Sequence, residues 1–139
     1  MAVFAKDISL KTKGNNEIYD ITSQVQESLK DLGIKDGILT AFVPGSTAGI
    51  TTIEYEPGAV SDLKDVFERL MPRDMHYEHN KRWGDGNGFS HVRAAFCKAS
   101  LTVPFIDRKL TLGTWQQIVL VDFDNRPRDR RIILQIIGE

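Results

Sequence analysis

The chain has 139 residues, 41% of them hydrophobic, with 18 basic against 19 acidic side chains and a net charge of −1. That length predicts a single domain spanning 1–139 with room for one real core, and the near-neutral balance supplies no global field to draw nucleic acid, a membrane or a polyanion. A lone cysteine, Cys97, excludes an internal disulfide and a multi-cysteine metal cluster. The opening Met-Ala-Val-Phe-Ala-Lys-Asp reaches a charge before any long apolar run, so no signal peptide or membrane span is expected and the chain reads as cytoplasmic.

Residues 3–10 partly alternate apolar with polar and end at Gly14-Asn15-Asn16, which predicts strand, turn and a short strand over 17–21. Thr22 is placed to cap a helix with Val25, Leu29 and Leu32 on one stripe and Gly33 at its close. The runs 37–43 and 49–53 are rich in β-favouring residues and predict strands, the first well buried. Between them, Pro44-Gly45-Ser46-Thr47-Ala48 either cradles an anion on its backbone N–H groups and the Ser46 and Thr47 hydroxyls, or is simply a tight connection. Glu54 and Glu56 flank Tyr55 at strand spacing, which points both carboxylates to one side as a metal or proton-sharing pair, or leaves them solvated at a strand end.

Pro57-Gly58 opens a second helix with Val60, Leu63, Val66, Phe67 and Leu70 on one face and Pro72 as its stop. Apolar periodicity then vanishes over 73–90, a long irregular connection of the kind that carries function or covers a site. It ends in Trp83-Gly-Asp-Gly-Asn-Gly-Phe-Ser-His91, where glycines alternate with chemically capable side chains. The chain's histidines, His76, His79 and His91, lie in or beside this segment, without a recognised local metal-binding spacing. A short helix is expected over 91–99 with Ser90 as its cap, Val92, Ala95 and Phe96 toward the core and Arg93 on another face. The glycine-rich segment would then feed a helix N-terminus that favours phosphate or carboxylate. Cys97 reads as packing, since only Lys98 stands nearby to lower its pKa.

A hairpin follows, 101–106 and 109–112 about Asp107-Arg108, then a long strand over 114–123, a turn at 125–129 and a strongly apolar strand over 131–137 that belongs inside a sheet or against a partner chain. Strands in series with interspersed helices predict an α+β domain with a mixed or antiparallel sheet and two to three helices. There is no basic stripe with interleaved aromatics, so nucleic acid is not the expected partner.

Asp85-Gly86-Asn87-Gly88 with Ser90-His91, Ser100-Leu101-Thr102-Val103-Pro104, Gly113-Thr114-Trp115-Gln116-Gln117 and Arg126-Pro127-Arg128, together with Pro44 to Ala48 and Ile50 to Gly58, resemble the YjbQ-like family over essentially the whole chain. The resemblance implies a compact α+β unit that assembles as a homotrimer. It also implies an activity able to replace thiamine-phosphate synthase, joining a pyrimidine-methyl diphosphate to a thiazole phosphate with release of pyrophosphate and Mg²⁺ at the departing oxygens. On this reading His91, Asp85 and Glu54 are catalytic. Ser46, Thr47, Asn87, Arg93, Gln116, Arg126 and Arg128 bind the phosphorylated metabolite, Arg by its bidentate grip on phosphate. Trp115 is either a stacking platform or an interface anchor. Many relatives carry His where this chain has Phe89 and Gly45, so His91 and His79 are the imidazoles left to hold a divalent metal, fewer than the three protein ligands of a catalytic zinc site. The alternative is a phosphometabolite-binding or scaffold protein with a reduced site.

Overall fold

The computed structural model describes residues 1–139 and contains eight strands and four helices. Strands β1 (Ala2–Thr12), β3 (Gly37–Phe42), β5 (Ser100–Ile106), β6 (Lys109–Leu110) and β8 (Arg128–Gly138) form one sheet in the order β1-β8-β3-β5-β6. A second sheet, in the order β2-β7-β4, is built from β2 (Glu17–Asp20), β4 (Ala48–Ile53) and β7 (Gln117–Asp122). Every pairing in both sheets is antiparallel. The helices are α1 (Thr22–Glu27), α2 (Pro57–Leu70), α3 (Glu78–Trp83) and α4 (Gly88–Cys97).

Period-2 patterning explains the layers. Along β8, Ile132, Leu134 and Ile136 point inward and are fully buried against Leu39 and Ala41 of β3, Val103 and Phe105 of β5, and Ile50, Ile118 and Leu120 of the second sheet. The opposite face of β7 carries Val119, Val121 and Phe123, which pack on Phe67 and Met71 at the end of α2 and on Ala94 of α4. The three-stranded sheet is therefore the middle layer, covered on both faces, as its continuous apolar run Ile118–Val121 requires. Fully burying each such side chain stabilises the fold by roughly 1.5–3 kcal/mol. The outer face of the five-stranded sheet has no helix on it.

Several expectations are met closely. The 14–16 turn has positive φ at Gly14, Asn15 and Asn16, and the β5–β6 hairpin turns on Asp107 and Arg108 with φ of 48° and 60°. The apolar last strand lies inside its sheet, between β1 and β3. Others are corrected. Helix α1 is short, and Thr22 is its first residue rather than its cap: Ile21 holds the N-cap position without a side-chain bond, and Asp20 Oδ1 accepts from Thr22 N at 3.0 Å. Strand β7 starts at Gln117 because Gly113–Gln116 forms a turn, with Gln116 N–H donating to Gly113 O at 3.1 Å. The irregular 73–90 segment contains α3, which raises the helix count to four.

The third helix of the sequence reading also starts earlier and faces differently. Helix α4 begins at Gly88, with Asn87 at its N-cap and Ser90 inside it. Val92, Ala95 and Phe96 face outward, while Phe89, Ser90, Arg93 and Ala94 are buried. Glu54 and Glu56 do not form a pair: Glu56 caps α2, its carboxylate accepting from Gly58 N at 3.0 Å and from Ala59 N, while Glu54 is exposed. Those two backbone donors hold the Glu56 carboxyl below its usual range, Ala59 first.

Candidate functional site

The site sits where the ends of β7 and β8 meet the loop 44–47. Asp122 and Asp124 lie on either side of Phe123, and both are fully buried. Arg130, on the inward face of β8, grips Asp122 with Nε at 2.7 Å from Oδ2 and Nη2 at 2.9 Å from Oδ1. Thr12 closes the same carboxylate from β1 at 2.5 Å. Arg130 Nη2 also donates to Thr47 Oγ1 at 2.7 Å, and that hydroxyl donates to Asp124 Oδ2 at 3.0 Å. Arg128 Nε completes the chain at 2.7 Å from Asp124 Oδ2. Burial acts to raise the Asp124 pKa, but the bonds from Arg128, Thr47 and Asn125 N–H, with the Arg128 charge, outweigh it and hold the carboxyl below its ordinary value. A buried network in which each member is satisfied is rigid, and this one fixes the floor of the loop.

Helices α3 and α4 form the opposite wall. His79 and His91 stack with ring centroids 4.2 Å apart and planes inclined at 41°. Asp85 lies beside them, its Oδ1 3.5 Å from His79 Nδ1, a distance and angle that leave this buried nitrogen without a true hydrogen bond. Asn87 stands between two carboxylates. With its amide nitrogen toward Asp85 it donates to both oxygens, at 2.9 and 3.2 Å; turned the other way it reaches Asp124 Oδ1 at 3.4 Å. Gly84 and Gly86 both take φ near +70°, which lets the chain bend sharply around Asp85. His91 is held below its ordinary pKa, by burial first and then by the neighbouring His79, against the opposing pull of Asp85, Asp124 and the Ser46 backbone. Its imidazole is neutral at pH 7 and offers one donor and one acceptor.

These groups enclose a polar pocket of about 340 Å³ lined by the 45–47 loop, His79, Asp85, Asn87, His91, Arg128 and Arg130, with the exposed indole of Trp83 at its rim. The expected residues Ser46, Thr47, Asp85, Asn87, His91, His79 and Arg128 thus converge. Four others do not. Glu54 lies beyond the far end of β4, roughly 20 Å along the strand from Ala48. Gln116 is also remote, holding Thr52 Oγ1 at 3.3 Å and accepting from Gly113 N. Arg93 is buried under α2, with Nε at 3.0 Å from Met71 O and Nη2 paired to Glu68 at 2.5 Å, and Phe89 lies against its guanidinium at 4.9 Å. Arg126 is exposed on the turn and does not line the pocket.

The helix N-terminus is not the anion seat either. Its first donor, Gly88 N–H, is taken by Asn80 Oδ1 at 2.7 Å, and the turn from Asn87 to Ser90 is buried. Cys97 is packed against Gly49, and burial pushes its thiol up to about 11, so it is inert. The sequence reading left out of the site set Arg130, Trp83, Asp122 and Asp124. Arg130 carried a legible signal, since the inward period of β8 that points Ile132 into the core also points Arg130 there.

No group of three or more His, Cys, Asp or Glu side chains is placed to hold a metal ion together, and the two imidazoles pack ring against ring. No helix is long and apolar enough to cross a membrane.

Two antiparallel sheets, with α2 and α4 packed on the three-stranded one and a histidine–carboxylate–arginine pocket at the end of the sandwich, define an α+β domain with one polar candidate site. A family model described as UPF0047 protein YjbQ-like matches residues 6–139, and the chain belongs to this family. It is 39% identical over 139 residues to a UPF0047 protein of Methanothermobacter thermautotrophicus, covering 100% of this chain and 95% of that one. It is 33% identical to the UPF0047 protein YugU of Bacillus subtilis, over 96% of this chain and 98% of that one. Among solved structures it resembles a YbjQ-like protein of unknown function from Sulfolobus solfataricus, with a TM-score of 0.93 and 36% identity over 99% of both chains. A Clostridium acetobutylicum member of the yjbq/upf0047 family, described as uncharacterized, superposes with a TM-score of 0.86 at 33% identity, over 95% of this chain and 99% of that one.

Proposed function

We propose that the pocket between the 45–47 loop and the His79–His91 pair binds the diphosphate of a pyrimidine-methyl diphosphate, and that the protein transfers the pyrimidine-methyl group to a thiazole phosphate as a thiamine-phosphate-synthase-like enzyme. The observation that carries this reading is the convergence of Ser46, His91, Arg128 and Arg130 on one cavity with Asp85 at its edge. The carbon–oxygen bond to the diphosphate breaks, pyrophosphate leaves with the electron pair, and the thiazole nitrogen lone pair forms the new carbon–nitrogen bond. Such chemistry needs clamps on the leaving group and correct placement more than a strong nucleophile.

The charge arithmetic specifies the form in which the diphosphate arrives. Two guanidiniums line the pocket, but Asp122 and Asp124 neutralise them and Asp85 adds a third carboxylate, so the pocket holds directed N–H donors without a net positive field. A bare diphosphate is disfavoured there, and its Mg²⁺ complex is the species that suits the site. The ion supplies charge neutralisation on the leaving oxygens. In this chain the half-exposed Asp85 carboxylate would face it, Asn87 would orient that carboxylate, and His91, neutral in the free protein, would donate a hydrogen bond to the departing phosphoryl group. Trp83 offers its indole face to the pyrimidine.

The test is direct. Purified protein with both precursors and Mg²⁺ is expected to form thiamine phosphate, and His91→Ala to lower kcat by about 100-fold, in the range of a lost positioned proton-transfer or hydrogen-bonding group, with unfolding unchanged. Folded protein yielding no product above a no-protein control ends the enzyme reading. Calorimetric binding of Mg²⁺-pyrophosphate without turnover would then favour a phosphometabolite-binding protein, a reading supported by the neutralisation of both guanidinium charges by Asp122 and Asp124.

A further inference from the structure

A second cavity, of about 300 Å³, lies on the other side of His91. It shares Gly45, Ser46 and His91 with the polar pocket, so those three residues form the partition between two lobes of one site. Its character is opposite. Ala48 comes from β4, Ala94 and Ala95 from α4, and Ala99 from the link into β5, which leaves a smooth apolar wall whose volume exists because no side chain reaches past Cβ. The lobe is open to solvent along the exposed Ala95, and its volume is larger than the roughly 150 Å³ that holds a benzene, so a substituted ring fits in it.

Lys98, an exposed residue, lines this lobe as well as the neighbouring groove. It has no carboxylate partner, unlike Arg93, Arg128, Arg130 and Arg131, and it is the lobe's one permanent charge. Its backbone is held in an uncommon conformation with φ of 80°, fixed by Lys98 N–H donating to Ala94 O at 2.9 Å and by Ile50 N–H donating to Lys98 O at 2.9 Å. Those two bonds tie the residue to α4 and β4, the elements that supply the alanines.

We infer that this lobe seats the acceptor substrate, a five-membered nitrogen heteroarene bearing a phosphate, with the ring against Ala94, Ala95 and Ala99 and the phosphate at Lys98. The inference rests on the transferase reading and adds the place of the second reactant. Diphosphate in the polar lobe and ring nitrogen in the alanine lobe put the carbon that changes partners at the His91 partition, where one bond breaks as the other forms. Ala95 then sets ring size, and Lys98 selects the phosphorylated ring over its alcohol.

Binding of each probe alone separates this inference from the activity. Thiazole phosphate, thiazole alcohol and Mg²⁺-pyrophosphate are titrated calorimetrically into the wild type, Ala95→Leu and Lys98→Met. Ala95 is exposed on a helix and leucine is a good helix former, so Ala95→Leu folds. The expected result is a tenfold or greater loss of thiazole phosphate affinity in Ala95→Leu with Mg²⁺-pyrophosphate unchanged within twofold. Lys98→Met is expected to lose thiazole phosphate affinity while retaining thiazole alcohol. The inference is overturned if thiazole phosphate does not bind the wild type, if Ala95→Leu leaves it unchanged, or if Ala95→Leu weakens both probes alike. A protein that makes no thiamine phosphate yet gives the expected binding pattern refutes the transferase reading and keeps the two-lobed site.

Discussion

At the residue scale, two positions set the chemistry of the partition. His91 is held neutral by burial and by His79, so between its folded pKa and the ordinary 6.5 the unfolded chain binds more protons than the folded one. Its contribution to stability is therefore present above pH 6.5 and is lost as pH falls through the folded pKa. A bound anion reverses the bias by favouring imidazolium, even with Asp85 and Asp124 nearby, so anion binding takes up a proton. Sulfate, which does not titrate near neutrality, is expected to bind more tightly as pH falls from about 7.5 to about 6, and His91→Gln to flatten the profile. An equally steep profile in the variant would assign the proton to another group. Gly45 is the other position. Its φ of +121° is one that side chains rarely adopt, and a Cβ would stand 3.2 Å from Arg130 Nη1. Gly45→Ala is expected to cost about 1–3 kcal/mol in urea unfolding. Glycine here is a requirement of this loop's conformation and not merely the loss of a histidine, and Phe89, buried between Arg73 and Arg93, lies outside the polar pocket.

At the scale of elements, strands were legible and one helix face was not. Alternation in β1 and the turn chemistry of Asp107-Arg108 announce their structure because a half-buried strand and a positive-φ turn each leave a local mark. Helix α4 leaves a misleading one. Val92 and Phe96 have the spacing of a core stripe, yet the helix buries Arg93, whose guanidinium is satisfied by Met71 O, Glu68 and the Phe89 ring. Apolar periodicity does not register a buried cation that finds its partners in another element. Asp122 and Asp124 were hidden for the same reason, their partners lying on β1, β8 and the 44–47 loop. The Asp122–Arg130 pair is the joint between the two sheets at the site. Asp122→Ala strands the Arg130 charge in a buried setting, and the expected loss is about 3–5 kcal/mol by urea unfolding, accompanied by weaker Mg²⁺-pyrophosphate binding as Arg130, which donates to Thr47, loses the carboxylate that holds it. A loss under about 1 kcal/mol would mean that water reaches Arg130 and that the joint is not dry.

At the scale of the whole molecule, the three layers leave one broad surface uncovered. Antiparallel register puts Val3, Ile137, Ile38 and Pro104 in one transverse row across β1, β8, β3 and β5, and Ile133 beside Phe42 in another. Val3, Ile38, Phe42 and Ile106 on this face are all substantially exposed in the single chain. The row between them carries Gln135, Thr40 and Thr102, so the apolar residues form two strips rather than one patch, and exposed apolar strips on a sheet face are surfaces suited to a partner. The homotrimer that the family resemblance implies would find its contacts on this face. Covering Ile38 stabilises the assembly, while a lysine there would need its ammonium desolvated in each of the contacts that symmetry repeats. Ile38→Lys is expected to shift the mass measured by light scattering from the trimer to the 15.7 kDa protomer with the far-ultraviolet spectrum retained. A variant that stays trimeric moves the interface to another face, and a wild type that is monomeric at micromolar concentration removes the trimer altogether. Because the polar pocket lies at the sandwich end and not on the sheet face, the dissociated variant is also expected to keep Mg²⁺-pyrophosphate binding; its loss on dissociation would mean that a second subunit completes the site.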